Sequence, residues 1–138
     1  MKAVVDTNVI AYYLLATPPF TAEVDAFWRS VDDPMAPALW EAELVNTLWM
    51  SARQGVTTAE LAHRRLADAA LLGIRSVPMA SLVEAALAIA LRANASGYDA
   101  LFVELAVREK RPLATFDRRL LAAFPRVAAR PAALLRKR

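Results

Sequence analysis

The chain has 138 residues, a single histidine and no cysteine. That length suits one domain with one core. The missing cysteines exclude disulfides and thiolate metal sites, and a lone His63 among Ala62, Arg64 and Arg65 argues against a histidine-based zinc centre or a Ser-His-Asp triad. Net charge is +3, but residues 108–138 carry +8 while residues 1–107 carry −5. A basic end on an acidic body points to a polyanionic partner, or else to a solvated tail. Hydrophobic residues make up 57% and there are only three glycines, which favours helix-rich packing over an all-β fold. No apolar run reaches the ~20 residues that span a bilayer, and Asp6 interrupts any signal-peptide core. The expectation is a cytoplasmic protein with no membrane partner.

Residues 2–6 read as a first strand, because Ala3, Val4 and Val5 form a short apolar run suited to burial on both faces. The run stops at Asp6, which would sit where strand gives way to helix. Open α/β sheets do their chemistry at that edge; the plainer reading is that Asp6 only caps the next helix. Thr7 to Ala16 forms a short helix, broken by Thr17-Pro18-Pro19. Thr21 caps a second helix with Glu23 and Asp25 in its first turn and Val24, Phe27, Trp28 and Val31 on one apolar face. Met35-Ala36-Pro37 suggests a second strand at an edge, where proline is tolerated.

Residues 38–54 predict a helix whose core face is Val45, Leu48, Trp49 and Ala52, with Gly55 closing it. Glu43 and Asn46 lie one turn apart on a neighbouring face. Thr57 to Glu60 is a capping box for a helix running to about Leu72, ended by Gly73. Ile74 to Met79 is a short strand. Ser81 to Glu84 is a second capping box, opening a helix to about Asn94 with Leu82, Ala85, Ala86, Ile89 and Ala93 inward. After a loop at 95–97, Tyr98-Asp99 opens a helix that is apolar nearly all round and so belongs at the centre. Pro112 to Phe116 is a strand ending in Asp117, followed by a short helix from Arg118 to Ala123 and a last edge strand near 126–128. Strands alternating with helices imply an α/β fold with a mostly parallel sheet of four to five strands between helix layers. The chain shows no repeat, linker or low-complexity segment.

Asp6 and Asp117 both follow a strand directly, Asp99 opens a helix after a loop, and Glu43 sits in a helix just beyond a strand. Taken singly, each has an ordinary use as a cap or a solvated residue. If the sheet is parallel, all four crowd toward one edge. Two like charges ~4 Å apart repel by roughly 4 kcal/mol at an effective dielectric of about 20, so the cluster would protonate or bind a hard cation. Oxygen-only ligands suit Mg²⁺ or Mn²⁺. Such an ion would activate water and neutralise a phosphate, and the basic end would hold a polyanion against the acids.

These stretches resemble the PIN-domain nucleases, in particular the VapC-type toxins of toxin–antitoxin pairs. The likeness covers essentially the whole chain and rests on Val4-Val5-Asp6-Thr7-Asn8, Glu43-Leu44-Val45-Asn46-Thr47-Leu48, Tyr98 through Ala106, and Pro112 through Leu120, in order. It implies a three-layer α/β/α sandwich. It implies that Asp6, Glu43, Asp99 and Asp117 bind Mg²⁺ or Mn²⁺, with Thr7, Asn8 and Thr115 supporting them and Asn46 orienting Glu43. The implied reaction is metal-dependent endonucleolytic cleavage of RNA by a homodimer that a cognate antitoxin inhibits. Arg111, Arg118 and Arg119 are candidates to touch the RNA. Glu104, five residues after Asp99 and so roughly 140° round the helix, is a weak fifth acid.

Two other readings compete. One is a non-catalytic RNA- or protein-binding module on the same fold, which the intact acid set argues against. The other is a receiver-type domain phosphorylated on Asp6. Against it, Thr7-Asn8 follows Asp6 where a second acid belongs, and no lysine follows a late strand in the expected role.

Overall fold

The computed structural model describes residues 1–136; Lys137 and Arg138, counted above in the basic end, lie outside the described residues. Five strands form one all-parallel sheet: β1 (Lys2–Val5), β2 (Asp33–Pro37), β3 (Arg75–Val77), β4 (Leu113–Ala114) and β5 (Ala128–Ala129), in the order β3-β2-β1-β4-β5. Eight α-helices, α1 (Thr7–Leu14), α2 (Thr21–Ser30), α3 (Leu39–Arg53), α4 (Ala59–Ala69), α5 (Val83–Ala93), α6 (Gly97–Glu109), α7 (Arg118–Ala123) and α8 (Pro131–Leu135), and two short 3-10 helices, Ala70–Leu72 and Met79–Ser81, complete the described chain. This is the expected α/β/α sandwich.

β1 is the middle strand, and Ala3, Val4 and Val5 are wholly buried. Each valine removed from water contributes about 1.5–3 kcal/mol, and the alanine methyl less. From β1 the chain steps outward to β2 and β3. Helices α5 and α6, packed on each other, then carry it to β4 and β5 on the far side of β1. The strand order reverses between β1 and β4, where Val5 pairs with Ala114. Beyond the carboxyl ends of two strands that part in this way, an open sheet leaves a crevice. Asp6 follows β1 there, and Thr115 to Asp117 follow β4.

α6 is central, as its all-round apolar character predicts. It packs on β1, β2 and β4 and buries Ala100, Leu101, Phe102, Val103, Leu105 and Ala106.

Several local expectations are corrected. β2 is an interior strand, not an edge. Its prolines are accommodated because each has a neighbour on one side only. Pro34 pairs with Ala3 before the β2–β3 register begins at Met35–Arg75, and Pro37 pairs with Val77 after the β1–β2 register ends at Val4–Met35. The missing N–H can therefore turn to a side with no ladder bond to lose.

α3 turns a different face inward. Trp40, Leu44 and Leu48 are buried, whereas Val45 is 52% and Trp49 54% exposed. Two apolar stripes compete on this helix, and packing against β2 and α1 selects the 40–44–48 one. The other stripe, with Ala59, Ala62, His63 and Leu66 of α4, lines an open apolar groove.

The helix starts differ too. Thr58, not Thr57, caps α4, accepting from the Leu61 N–H at 3.1 Å. Phe20 precedes α2 and Leu82 precedes α5, neither with a side-chain cap, and the Ser81 hydroxyl turns back to the Pro78 carbonyl. Within the stretch from Arg130 read as a basic tail, Pro131–Leu135 forms α8. Glu23 of α2 accepts from Arg130 and, at 2.9 Å, from the Ala132 N–H.

Candidate functional site

Asp6 is set by position alone: it is the first residue past a strand that cannot move, and its backbone N–H donates to Ala114 O at 3.0 Å. It is 9% exposed. Thr115, wholly buried one residue past β4, donates its hydroxyl to Asp6 Oδ2 at 2.6 Å. The same Thr115 oxygen accepts from the Asp117 N–H at 3.0 Å and from Asn8 Nδ2 at 3.5 Å, and Asn8 Oδ1 accepts from the Phe116 N–H at 3.3 Å. One threonine hydroxyl thus ties the ends of β1 and β4 together and aims one carboxylate.

Glu43 arrives from α3, which starts just after β2. Thr7, at the head of α1, donates its hydroxyl to Glu43 Oε1 at 2.8 Å. Asp99 sits in the first turn of α6. Its backbone N–H donates to Ser96 Oγ at 3.1 Å, which caps that helix. Asp117 caps α7, its Oδ1 accepting from the N–H groups of Arg119 at 2.7 Å and Leu120 at 3.0 Å.

Three of the acids, Asp6, Glu43 and Asp99, are raised by burial and by the charge of their acidic neighbours. Burial is the largest influence on Asp6 and pushes its carboxyl up to about 7; Thr115 and the Thr7 N–H oppose that, while the charges of Glu43 and Asp99 add to it. Glu43 is raised by burial, opposed by the Thr7 hydroxyl and reinforced by Asp99. Asp99 is raised by burial, opposed by Ser96, raised again by Asp117 and lowered by Arg119. The couplings link Asp6 to Glu43 and Asp99, Glu43 to Asp99, and Asp99 to Asp117. Among the described residues, Arg119 is the cation whose charge bears on Asp99.

Among the described residues, no three His, Cys, Asp or Glu side chains stand in a pre-assembled ligand group. The acids therefore neighbour one another without closing on a common point. Their chemistry nevertheless fits a hard divalent cation: every donor is oxygen, and burial raises Asp6, Glu43 and Asp99.

Three candidate residues lie elsewhere. Asn46 is exposed, its amide reaching Met50 Sδ at 3.9 Å, so Thr7 rather than Asn46 holds Glu43. Arg111 precedes β4 and is at the amino edge of the sheet, opposite the acids. It pairs with Asp33 Oδ2 at 2.8 Å, is 12% exposed at its side chain, and is the chief cause of the lowered Asp33 carboxyl. It therefore stands apart from Arg118 and Arg119, on the other edge of the sheet. Glu104 pairs with Arg108 at 3.1 Å, one turn along α6. Arg118 and Arg119 are exposed at the start of α7, on the acid side. Ser96 is the site residue that sequence reading passed over, although Ser96-Gly97-Tyr98-Asp99 has the spacing of a helix start.

Residues 3–129 match the PIN domain family, and the chain belongs to it. No curated protein sequence matches it. Among solved structures it is similar to PAE2754 from Pyrobaculum aerophilum, with a TM-score of 0.77, 24% identity, and coverage of 99% of this chain and 94% of that one. It is also similar to a toxin–antitoxin complex from Klebsiella pneumoniae, with a TM-score of 0.68, 16% identity, and 94% and 97% coverage. A third is VapBC2 from Rickettsia felis bound to a DNA fragment from its promoter, with a TM-score of 0.67, 14% identity, and 94% and 98% coverage. At these identities the likeness is one of fold.

Proposed function

We propose that this chain is a divalent-metal-dependent endoribonuclease of the VapC type, the toxin of a toxin–antitoxin pair. The observation that carries the reading is the pair of threonine hydroxyls, Thr115 on Asp6 and Thr7 on Glu43, at the one crevice where Asp99 and Asp117 also arrive. Desolvated acids pushing one another's pKa upward are poorly suited to stability alone and well suited to holding a cation. Membership of the PIN family supports the nuclease part. The toxin–antitoxin complex among the fold neighbours supports the toxin part.

In this reading Asp6, Glu43, Asp99 and Asp117 hold Mg²⁺ or Mn²⁺. The ion supplies charge neutralisation at the phosphate and lowers the pKa of water. The rest falls to the chain. Thr115 and Thr7 keep Asp6 and Glu43 in place, so little reorganisation is needed at the moment of reaction. A carboxylate oxygen of Asp99, raised by burial, takes a proton from the attacking water as the water oxygen bonds to phosphorus. The phosphorus–oxygen bond to the leaving ribose breaks, and the ribose oxygen takes a proton from solvent. Arg118, exposed at the start of α7 beside the acids, draws the RNA backbone toward an otherwise repelling acidic site.

Two apolar surfaces suit the partners. One is the α3–α4 groove with exposed Val45, Trp49 and Leu66; the other is the outer face of α5 with Val83, Leu87 and Leu91. A cognate antitoxin and a second copy of the chain are the proposed occupants. No described helix is long and apolar enough to cross a membrane, in keeping with action on RNA in the cytoplasm.

The toxin role is tested by induced expression in a bacterial host. Growth arrest by the native chain, with normal growth on expressing Asp99→Asn at equal level, is the expected outcome. Arrest by both would assign the toxicity to something other than this site. That no three ligand side chains stand pre-assembled among the described residues favours a second reading, a binding module without catalysis. It predicts RNA affinity that no metal improves and that survives Asp6→Asn.

A further inference from the structure

A separate pocket of about 120 Å³ adjoins the acid cluster, bounded by the end of α5, the start of α6 and one side of α7. Asn94, Ser96, Asp99 and Arg119 form its polar lining, and Leu120 and Phe124 are the largest apolar groups. Two of the polar groups are already committed. Ser96 caps α6 and Asp99 belongs to the acid set. Two are not: among the described residues, neither the Asn94 amide nor the Arg119 guanidinium makes a hydrogen bond or an ion pair. Both are anchored at the backbone. Asn94 holds the left-handed C-cap of α5 at φ 52°, and the Arg119 N–H is fixed on Asp117.

The Arg119 guanidinium is exposed and acts on Asp99 through its charge, and its N–H donors stay open to a neutral acceptor placed in this pocket. The pocket falls well below the ~300–1,000 Å³ of a site for a whole organic ligand, so one ring system fits and a nucleotide chain does not. Asp99 in the wall disfavours a phosphate and admits a neutral group. Leu120, 2% exposed, closes the floor of the pocket, and half-buried Phe124 offers apolar contact to a flat ligand, while the exposed Arg119 and Asn94 supply donors for its edge.

We propose that this pocket takes one unpaired nucleobase of the RNA beside the bond that is cut, and that Arg119 reads the paired acceptors of guanine. The proposal rests on the nuclease reading above. Guanine O6 and N7 lie side by side and match the arginine fork, whereas adenine offers one acceptor and one donor at that edge. An unpaired base in single-stranded RNA exposes that edge fully. The pocket adjoins Asp99, so the guanine stands at a fixed, short distance from the cut.

Two measurements test it separately from the nuclease reading. The first is fluorescence-anisotropy binding of the full chain in EDTA to short single-stranded RNAs that differ at one position: guanosine, inosine, 7-deazaguanosine or adenosine. Guanosine and inosine are expected to bind about 5- to 100-fold tighter than adenosine, as one bidentate contact provides, with 7-deazaguanosine losing most of that gain. Arg119→Lys keeps the charge and loses the fork, so the four RNAs should then bind within about twofold of one another. A thermal melt of the variant confirms that it folds. Equal binding of all four by the native chain, or a guanosine preference that survives Arg119→Lys, overturns the proposal.

The second is sequencing of cleavage ends from a random RNA pool with Mg²⁺. Guanine enriched at one position next to the cut, and lost in Arg119→Lys, is the expected result. Cutting without enrichment overturns the pocket and leaves the nuclease. Guanosine-selective binding with no cutting overturns the nuclease and leaves the pocket.

Discussion

The Thr115 hydroxyl donates to Asp6 Oδ2 at 2.6 Å across 109 residues of chain. It is the bond that converts two strand ends into one site, because the same oxygen also receives the Asp117 N–H. Thr115→Val keeps the shape and removes the donor. We expect a 10- to 100-fold loss of activity, the usual cost of removing such a supporting group. Cleavage kinetics at saturating Mg²⁺ check it. Activity within about twofold of native would show that Thr115 serves packing alone.

The raised Asp6 carboxyl makes the metal-free protein pH-sensitive in a definite direction. Asp6 titrates near 3.8 when unfolded and at about 7 when folded. Between those values the folded chain holds a proton that the unfolded chain has released. Stability is therefore greatest at the acid end of that window and falls as pH rises through it, by at most about 1.4 kcal/mol per pH unit from this group. Glu43 and Asp99, also raised, push the same way. Asp6→Asn should melt higher than the native chain at pH 7.5 without metal, and should lose activity. Thermal melts in EDTA at pH 4.5 and 7.5 read out both signs.

Metal should reverse that penalty. Mg²⁺ or Mn²⁺ binding only the folded state raises Tm in proportion to the logarithm of its concentration. At pH 7.5 the native chain should show this rise, and Asp99→Asn should show little of it.

The legible parts of this protein were those in which local sequence and tertiary role agree. Val4-Val5-Asp6 and Leu113-Ala114 through Asp117 read as strands ending at acids because short buried strands are apolar throughout. α6 read as central because it has no polar face. Where two choices were locally equal, packing decided. Pro34 and Pro37 suggested an edge, yet staggered registers let β2 sit inside. α8 went unread because Pro131-Ala132-Ala133-Leu134-Leu135 is too short to show periodicity; its hold is Glu23, more than a hundred residues away. Thr7 replaced Asn46 as the partner of Glu43 for the same reason, since i, i+3 proximity on α3 was visible and a contact from α1 was not.

The α3 faces can be weighed directly. Leu44→Ala empties a fully buried position and should cost about 2–5 kcal/mol. Trp49→Ala, on the open groove, should cost under about 1 kcal/mol. Urea unfolding of the two variants decides between the faces, and equal losses would return Trp49 to the core.

Arg111 offers a contrast with Arg119. Its guanidinium is held by Asp33 at the far edge of the sheet. Arg111→Ala should lower Tm and leave RNA affinity within about twofold of native, measured by anisotropy in EDTA. A large affinity loss in a folded variant would place RNA on that edge.

The most direct test of the central claim is cleavage of total RNA by the purified, partner-free protein, with Mg²⁺ or Mn²⁺ and with EDTA, beside Asp99→Asn. The account predicts discrete fragments with metal, none with EDTA and none from the variant. Intact RNA after incubation of the folded native chain with metal, or equal cutting by the variant, would contradict it.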